Sequence, residues 1–197
     1  MAFADRRSAV AIAASALVLP LAARAASDSG ARLIDDFARG DGTTLVGTRW
    51  QGFTDRVMGG RSRGGAAAAV IAGRPCLRLT GRVDTRGGGF VQMAVDLAAD
   101  GRPSDAAGAE GVTFDVYGNG ERYNAHLRTT DVGWYDQSYR ASFLAPAAWT
   151  TVRLPWNAFV PSGLDVPLRP DRLLRLGLLG WMRDFDVDLA VGRLAFY

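Results

Sequence analysis

One serine, one aspartate and one histidine stand in the order that some hydrolases use. Gly60-Arg61-Ser62-Arg63-Gly64 fits the pattern G-x-S-x-G, and Asp115 and His126 follow it in the chain. In that chemistry the imidazole takes the serine proton while the carboxylate orients the ring. The pattern needs a buried strand before the serine and a helix after it. Here Met58-Gly59-Gly60 precedes, and glycine with four alanines follows, which suits neither. His126 is the sole histidine, so some triad-like order arises by chance. A serine hydrolase at Ser62 is therefore the remote alternative, and no catalytic residue is assigned.

Metal and cofactor chemistry has less to build on. One histidine and one cysteine do not make the usual zinc or copper sets. Asp184, Asp186 and Asp188 alternate along a strand pattern and would project from one face, in reach of Asp35 and Asp36. Hard oxygen ligands suit calcium, but this run lacks the EF-hand glycine and terminal glutamate. These three aspartates are the only calcium candidates, and no metal is assigned. All 23 basic residues are arginine, so no lysine serves a phosphate loop or a Schiff base. Gly118-Asn119-Gly120 has no third glycine and no following helix, so no dinucleotide or other cofactor is expected.

The remaining chemistry-bearing residues depend on strand alternation for their placement. In Val112 to Val116 the valines and Phe114 face inward and Asp115 outward. In Tyr123 to Arg128, Tyr123, Ala125 and Leu127 turn inward, leaving Asn124, His126 and Arg128 outward. In Ser138 to Phe143, Tyr139, Ala141 and Phe143 turn inward, leaving Ser138, Arg140 and Ser142 outward. If the strands are neighbours, one outer face carries Asp115, Asn124, His126, Arg128 and Arg140. Trp134 and Tyr135 lie in the adjoining loop, with Gln137 at its end. Such a face can hold a sugar or another polar ligand. It can equally be a solvated surface of Asp–Arg pairs, which are common and contribute little.

The elements that must position these residues are strands. Alternating apolar runs cover Cys76 to Thr80, Phe90 to Val95, Val112 to Tyr117, Tyr123 to Arg128, Tyr139 to Phe143, Thr151 to Leu154 and Val187 to Phe196. Gly, Pro, Asp and Asn punctuate them. The pattern predicts an all-β, single-domain antiparallel β-sandwich. Gly118-Asn119-Gly120 reads as a hairpin turn, Ala98 to Gly108 as a loop, and Pro170 to Leu176 as a short helical turn. Cys76, in an apolar run, reads as a small buried hydrophobe.

Residues 1–25 read as a cleaved signal peptide. Arg6 and Arg7 precede an apolar stretch too short to span a bilayer, and Ala23-Arg24-Ala25 supplies the small residues of a cleavage site. A short linker over 26–33 then leads into a sandwich domain over 34–197. Cleavage leaves 20 arginines against 19 acidic residues, a net charge of +1. That balance, with no basic run, argues against nucleic acid as a partner. The expected location is the periplasm, reached by a twin-arginine or Sec route, with no transmembrane span after cleavage.

Several blocks together resemble a known family. Trp50 and the run Asp55-Arg56-Val57-Met58-Gly59-Gly60-Arg61-Ser62 match its signature, and Gly88-Gly89-Phe90 the next block. Tyr123 to Thr129 and Gln137 to Phe143 match a central strand pair, and Trp149, Leu154-Pro155 and Phe159 close the pattern. The chain resembles the complex I intermediate-associated family from about Ile34 to Tyr197. The resemblance implies a galactose-binding-like jelly roll, related in fold to carbohydrate-binding modules, and offers no catalytic residues to carry over. It implies a non-enzymatic protein acting through a protein partner or membrane-complex subunit in assembling a respiratory or envelope complex. The alternative is a carbohydrate-binding module using the polar face. Trp50, Asp55, Met58, Gly59, Gly60, Ser62, Gly88, Gly89 and Phe90 are read as structural, because glycine pairs and a turn aspartate have a mechanical cause.

Overall fold

A computed structural model describes residues 31–197, which form two six-stranded antiparallel sheets. The first sheet holds β1 (Arg32–Asp35), β3 (Arg63–Ile71), β4 (Arg74–Val83), β6 (Gly111–Gly118), β9 (Thr150–Pro155) and β12 (Phe185–Phe196). Its order is β3-β4-β12-β6-β9. β12 is long enough to pair with β4 along Phe185 to Val191 and with β1 at Leu194 to Phe196, so both lie on one side of it. The second sheet runs β10 (Val160–Ser162), β8 (Ser138–Leu144), β7 (Arg122–Thr129), β11 (Leu173–Trp181), β5 (Phe90–Asp96) and β2 (Gln51–Thr54). The signal-peptide reading of residues 1–25 lies outside the described residues. The first strand begins at Arg32, two residues inside the segment read as a linker.

The expected inward residues fill the space between the sheets. Val112, Phe114 and Val116 from one sheet meet Tyr123, Leu127, Tyr139, Leu176 and Leu178 from the other, all fully buried. Phe114 packs edge-on against Phe143 with ring centroids 5.1 Å apart, and Tyr123 against Phe185 at 5.7 Å. Burying one such ring stabilises the fold by roughly 1.5–3 kcal/mol. The Tyr123 hydroxyl donates to Asn119 Oδ1 at 2.7 Å and accepts from the Asp188 amide at 3.0 Å. Burial pushes its pKa up to about 12.

Three local expectations need correction. Gly118-Asn119-Gly120 is not a hairpin: β6 pairs with β12 and β9, while β7 pairs with β11 and β8. The turn carries the chain from one sheet to the other, and Asn119 anchors it by donating to the Asp186 carbonyl at 2.7 Å. Asp115 consequently lies on the first sheet, where it accepts from Thr151 Oγ1 at 2.6 Å and faces Arg74 at 3.5 Å. It is absent from the face that carries His126. The segment Pro170 to Leu176 is helical only over Pro170–Arg172, after which β11 begins.

Candidate functional site

The signature block folds around one carboxylate. Asp55 is fully buried at the start of a 3-10 turn, Asp55–Met58, between β2 and β3. Its Oδ1 accepts from the Ser62 amide at 2.9 Å. Its Oδ2 accepts from Ser62 Oγ at 2.6 Å and from the amides of Gly89 at 2.6 Å and Phe90 at 3.3 Å. One side chain thus ties the β2–β3 connection to the β4–β5 loop. The glycines make room for it. A Cβ on Gly60 would lie 2.2 Å from Asp55 Cγ, and one on Gly88 2.7 Å from Asp55 Cβ. Gly59 closes the turn in the left-handed region, at φ 84°. Trp50 is buried and donates from Nε1 to Asp35 Oδ2 at 2.8 Å. Burial raises the Asp35 pKa.

These contacts also dispose of the triad pattern. Ser62 is fully buried with its proton committed to Asp55, and its oxygen accepts from the Asp84 amide at 3.0 Å. Asp115 is on the other sheet, and no hydrogen bond joins Ser62 to His126 among the described residues. The three alternating aspartates are likewise engaged. Asp188 takes a forked pair from Arg78 at 2.8 and 2.7 Å. Asp186 pairs with Arg82 at 2.8 Å, and Asp184 accepts from the Thr85 amide and hydroxyl. Asp35 pairs with Leu194, towards the other end of β12. Among the described residues no three His, Cys, Asp or Glu side chains gather as a metal site. Cys76 is buried and its thiol pKa is raised by burial.

The outer face of the second sheet holds a groove of about 570 Å³. In strand order, β8, β7, β11, β5 and β2 contribute Arg140, His126, Trp181, Phe90 and Phe53 to it; Arg140 stands opposite His126 and Trp181 opposite Phe90, while Gly177 is the β11 residue opposite His126. Phe53 meets Phe90 edge-on at 6.0 Å, and Phe90 stacks beside Trp181 at 6.2 Å. The His126 ring meets Trp181 edge-on at 5.0 Å, and the Arg140 guanidinium sits over the same indole at 4.8 Å. The floor is therefore aromatic, and polar side chains flank it on the β7–β8 side. Gln92 lies across Gly177, where a Cβ would come within 2.1 Å of Gln92 Nε2. Val57 and Met58, on the signature turn, form an exposed apolar lip.

The loop 130–137 forms the opposite rim, and the predicted polar residues hold it. Arg128 donates to the carbonyls of Tyr135 and Trp134, both at 3.1 Å. Gln137 Oε1 accepts from the amides of Gly133 at 2.9 Å and Trp134 at 3.1 Å, and its Nε2 donates to the Gly163 carbonyl at 2.7 Å. Arg140 donates to Ser138 Oγ at 2.9 Å and the Asp136 carbonyl at 2.9 Å. His126 Nε2 is the one buried side-chain polar atom without a hydrogen bond among the described residues. Burial, then the charge of Arg140, lowers its pKa to about 3, so the ring is neutral at pH 7.

Of the seven ligand candidates, His126, Arg128, Tyr135, Gln137 and Arg140 line the groove, whereas Asn124 and Trp134 do not. Met58 and Phe90, read as structural, line it as well. Phe53, Gln92, Arg175 and Trp181 were missed. Period-two geometry puts Gly177 and Trp181 on one face of β11, but the apolar run gives no sign of which face is outward.

Solved carbohydrate-binding modules share this two-sheet β-sandwich fold. The family 11 carbohydrate-binding module of a cellulosomal cellulase from Clostridium thermocellum superposes with a TM-score of 0.63 at 15% identity, over 85% of this chain and 94% of that one. The same organism's family 11 module in complex with a β-1,3-1,4-mixed-linked tetrasaccharide gives 0.61 at 15% identity, over 84% and 94%. A family 30 carbohydrate-binding module gives 0.50 at 13% identity, over 66% and 73%. By sequence, residues 38–183 match the family of complex I intermediate-associated protein 30, and the chain belongs to that family. No curated protein matches it by sequence.

Proposed function

We propose that this chain is a non-catalytic binding domain that takes a glycan chain in the groove of its second sheet. The carrying observation is the aromatic floor of Phe53, Phe90 and Trp181, with an apolar lip on one side and the polar side chains of His126, Gln137 and Arg140 on the other. A sugar ring has an apolar C–H face and a polar edge, so it fits a site with apolar platforms and a few placed polar groups. The likeness in fold to a module solved with a bound tetrasaccharide supports this reading. On this proposal the domain works outside the cytoplasmic membrane, after removal of residues 1–25.

Membership of the complex I intermediate-associated family supports a second reading, docking of a protein partner during assembly of a membrane complex. The exposed side chains of Val57, Met58, Trp134 and Tyr135 along the rims favour it. The two readings separate in one experiment. Envelope extract is passed over the immobilised chain and over its Trp181→Ala variant, whose fold is checked by circular dichroism. Glycan retained by the chain and reduced about tenfold by the variant, equivalent to about 1.4 kcal/mol, is the expected result. Retention of the same membrane-complex subunits by both versions, without glycan, overturns the glycan reading in favour of assembly.

A further inference from the structure

Two guanidinium groups in the groove donate to no carboxylate. Arg128 and Arg140 are half-buried and donate only to backbone carbonyls and a serine hydroxyl. Asp136 lies on the same rim and gives Arg140 its carbonyl; its exposed carboxylate makes no hydrogen bond to either arginine, though its charge acts on both. Burial lowers the pKa of both arginines, with the charge of Arg175 adding to the effect at Arg128 and the charge of Asp136 partly offsetting it at both. Fixed, partly desolvated cations of this kind are ready partners for a ligand carboxylate, since charge-assisted bonds are among the stronger hydrogen bonds.

The same excess continues past both ends of the groove. Beyond Arg128 and Arg175 lies a hollow of about 470 Å³ that these two arginines share with Arg49 and Arg102. On the other side the signature turn divides its side chains. Val57 and Met58 face the groove, and Arg56 faces a hollow of about 520 Å³ with Arg61, Arg63, Arg82 and Arg86. Arg82 pairs with Asp186 and Arg86 with Asp84, but Arg56, Arg61 and Arg63 make no side-chain hydrogen bond or ion pair to any described residue. Arg63 stands directly opposite Arg82 in the β3–β4 ladder. Like charges in that relation are destabilising, and Asp186 answers Arg82 alone. Together the three hollows are lined by ten arginines and three aspartates; Arg82, Arg86, Arg102 and Arg175 are ion-paired, and the other six have no such pair among the described residues. The chain after export is close to neutral, so this is a local concentration and not a reflection of overall charge.

We infer that the ligand of the groove is an acidic glycan, a chain of carboxylate-bearing sugars. Its ring faces lie against Phe53 and the part of Trp181 that Arg140 leaves open, above the buried ring of Phe90, and its carboxylates meet Arg128 and Arg140 and, past the signature turn, Arg61 and Arg63. The inference rests on the glycan reading and adds charge to it.

The test compares uronic-acid oligosaccharides, each beside its carboxyl-reduced counterpart, in calorimetric titrations of the chain. The pair differs only in charge. We expect the acidic member of a pair to bind at least tenfold more tightly, with an affinity that falls steeply as salt is raised. The Arg61→Gln/Arg63→Gln double variant, changed only at exposed side chains, then loses severalfold affinity for the longer acidic chains and none for the reduced ones. Equal binding of acidic and reduced members overturns the inference and leaves the glycan reading standing. Binding of neither overturns both.

Discussion

His126 shows how much a single residue is shaped by its surroundings. Its ring is packed against Trp181 with Arg140 close by, so adding a proton would put a charge in a poorly hydrated place beside another cation. The folded-state pKa, about 3, lies below the unfolded value of 6.5. Between those limits the unfolded chain binds the proton and the folded chain does not. Stability from this residue is thus complete above about pH 6.5 and is lost as the pH falls towards 3. Denaturant melts of the protein and of His126→Gln should differ by a constant above pH 6.5. Below it, the parent should lose stability faster. Parallel curves throughout would show that the imidazole is well solvated. None of this was visible in the sequence, where alternation placed His126 on an outer face but said nothing of its neighbours on β8 and β11.

At the scale of elements, the signature turn couples the fold to the groove. Asp55 accepts four hydrogen bonds from two loops, and the same turn carries Val57 and Met58 to the lip. Replacing Asp55 by alanine strands those buried donors and should cost about 3 kcal/mol or more. Gly60→Ala should also destabilise, because its Cβ would overlap the same carboxylate. A Ser62→Ala change removes one donor and should cost roughly 1–2 kcal/mol. Urea titrations check the order; an Asp55→Ala protein as stable as its parent would refute the hub. The sequence made strands legible wherever branched and aromatic residues alternated, as in β5, β6, β7, β8 and β12. It hid β3, because Gly64-Gly65 and four alanines have little strand preference of their own and are held by nine pairings to β4. It also hid β11, whose run Leu176 to Leu179 is apolar or glycine at every position, so alternation cannot distinguish its two faces.

At the scale of the molecule, two features of the topology make the site. Gly118-Asn119-Gly120 sends β7 to the sheet opposite β6, which separates Asp115 from His126. β11 then enters between β7 and β5, setting Trp181 beside Phe90 and within reach of His126. The polar half of the groove was legible because β7 and β8 are consecutive and pair directly. The aromatic half was not, because Phe53, Phe90 and Trp181 come from segments far apart in sequence. Placing them together requires knowledge of strand order across the sheet.

The central claim is that an extended glycan lies on the face formed by those rings. Mapping by nuclear magnetic resonance, in which the chain is titrated with an acidic oligosaccharide, tests it most directly. Shifts are expected to centre on the indole of Trp181, the ring of Phe90, the side-chain amide of Gln92 and the imidazole of His126. Shifts confined to the first sheet, around Asp115, Arg78 and Asp188, would contradict it.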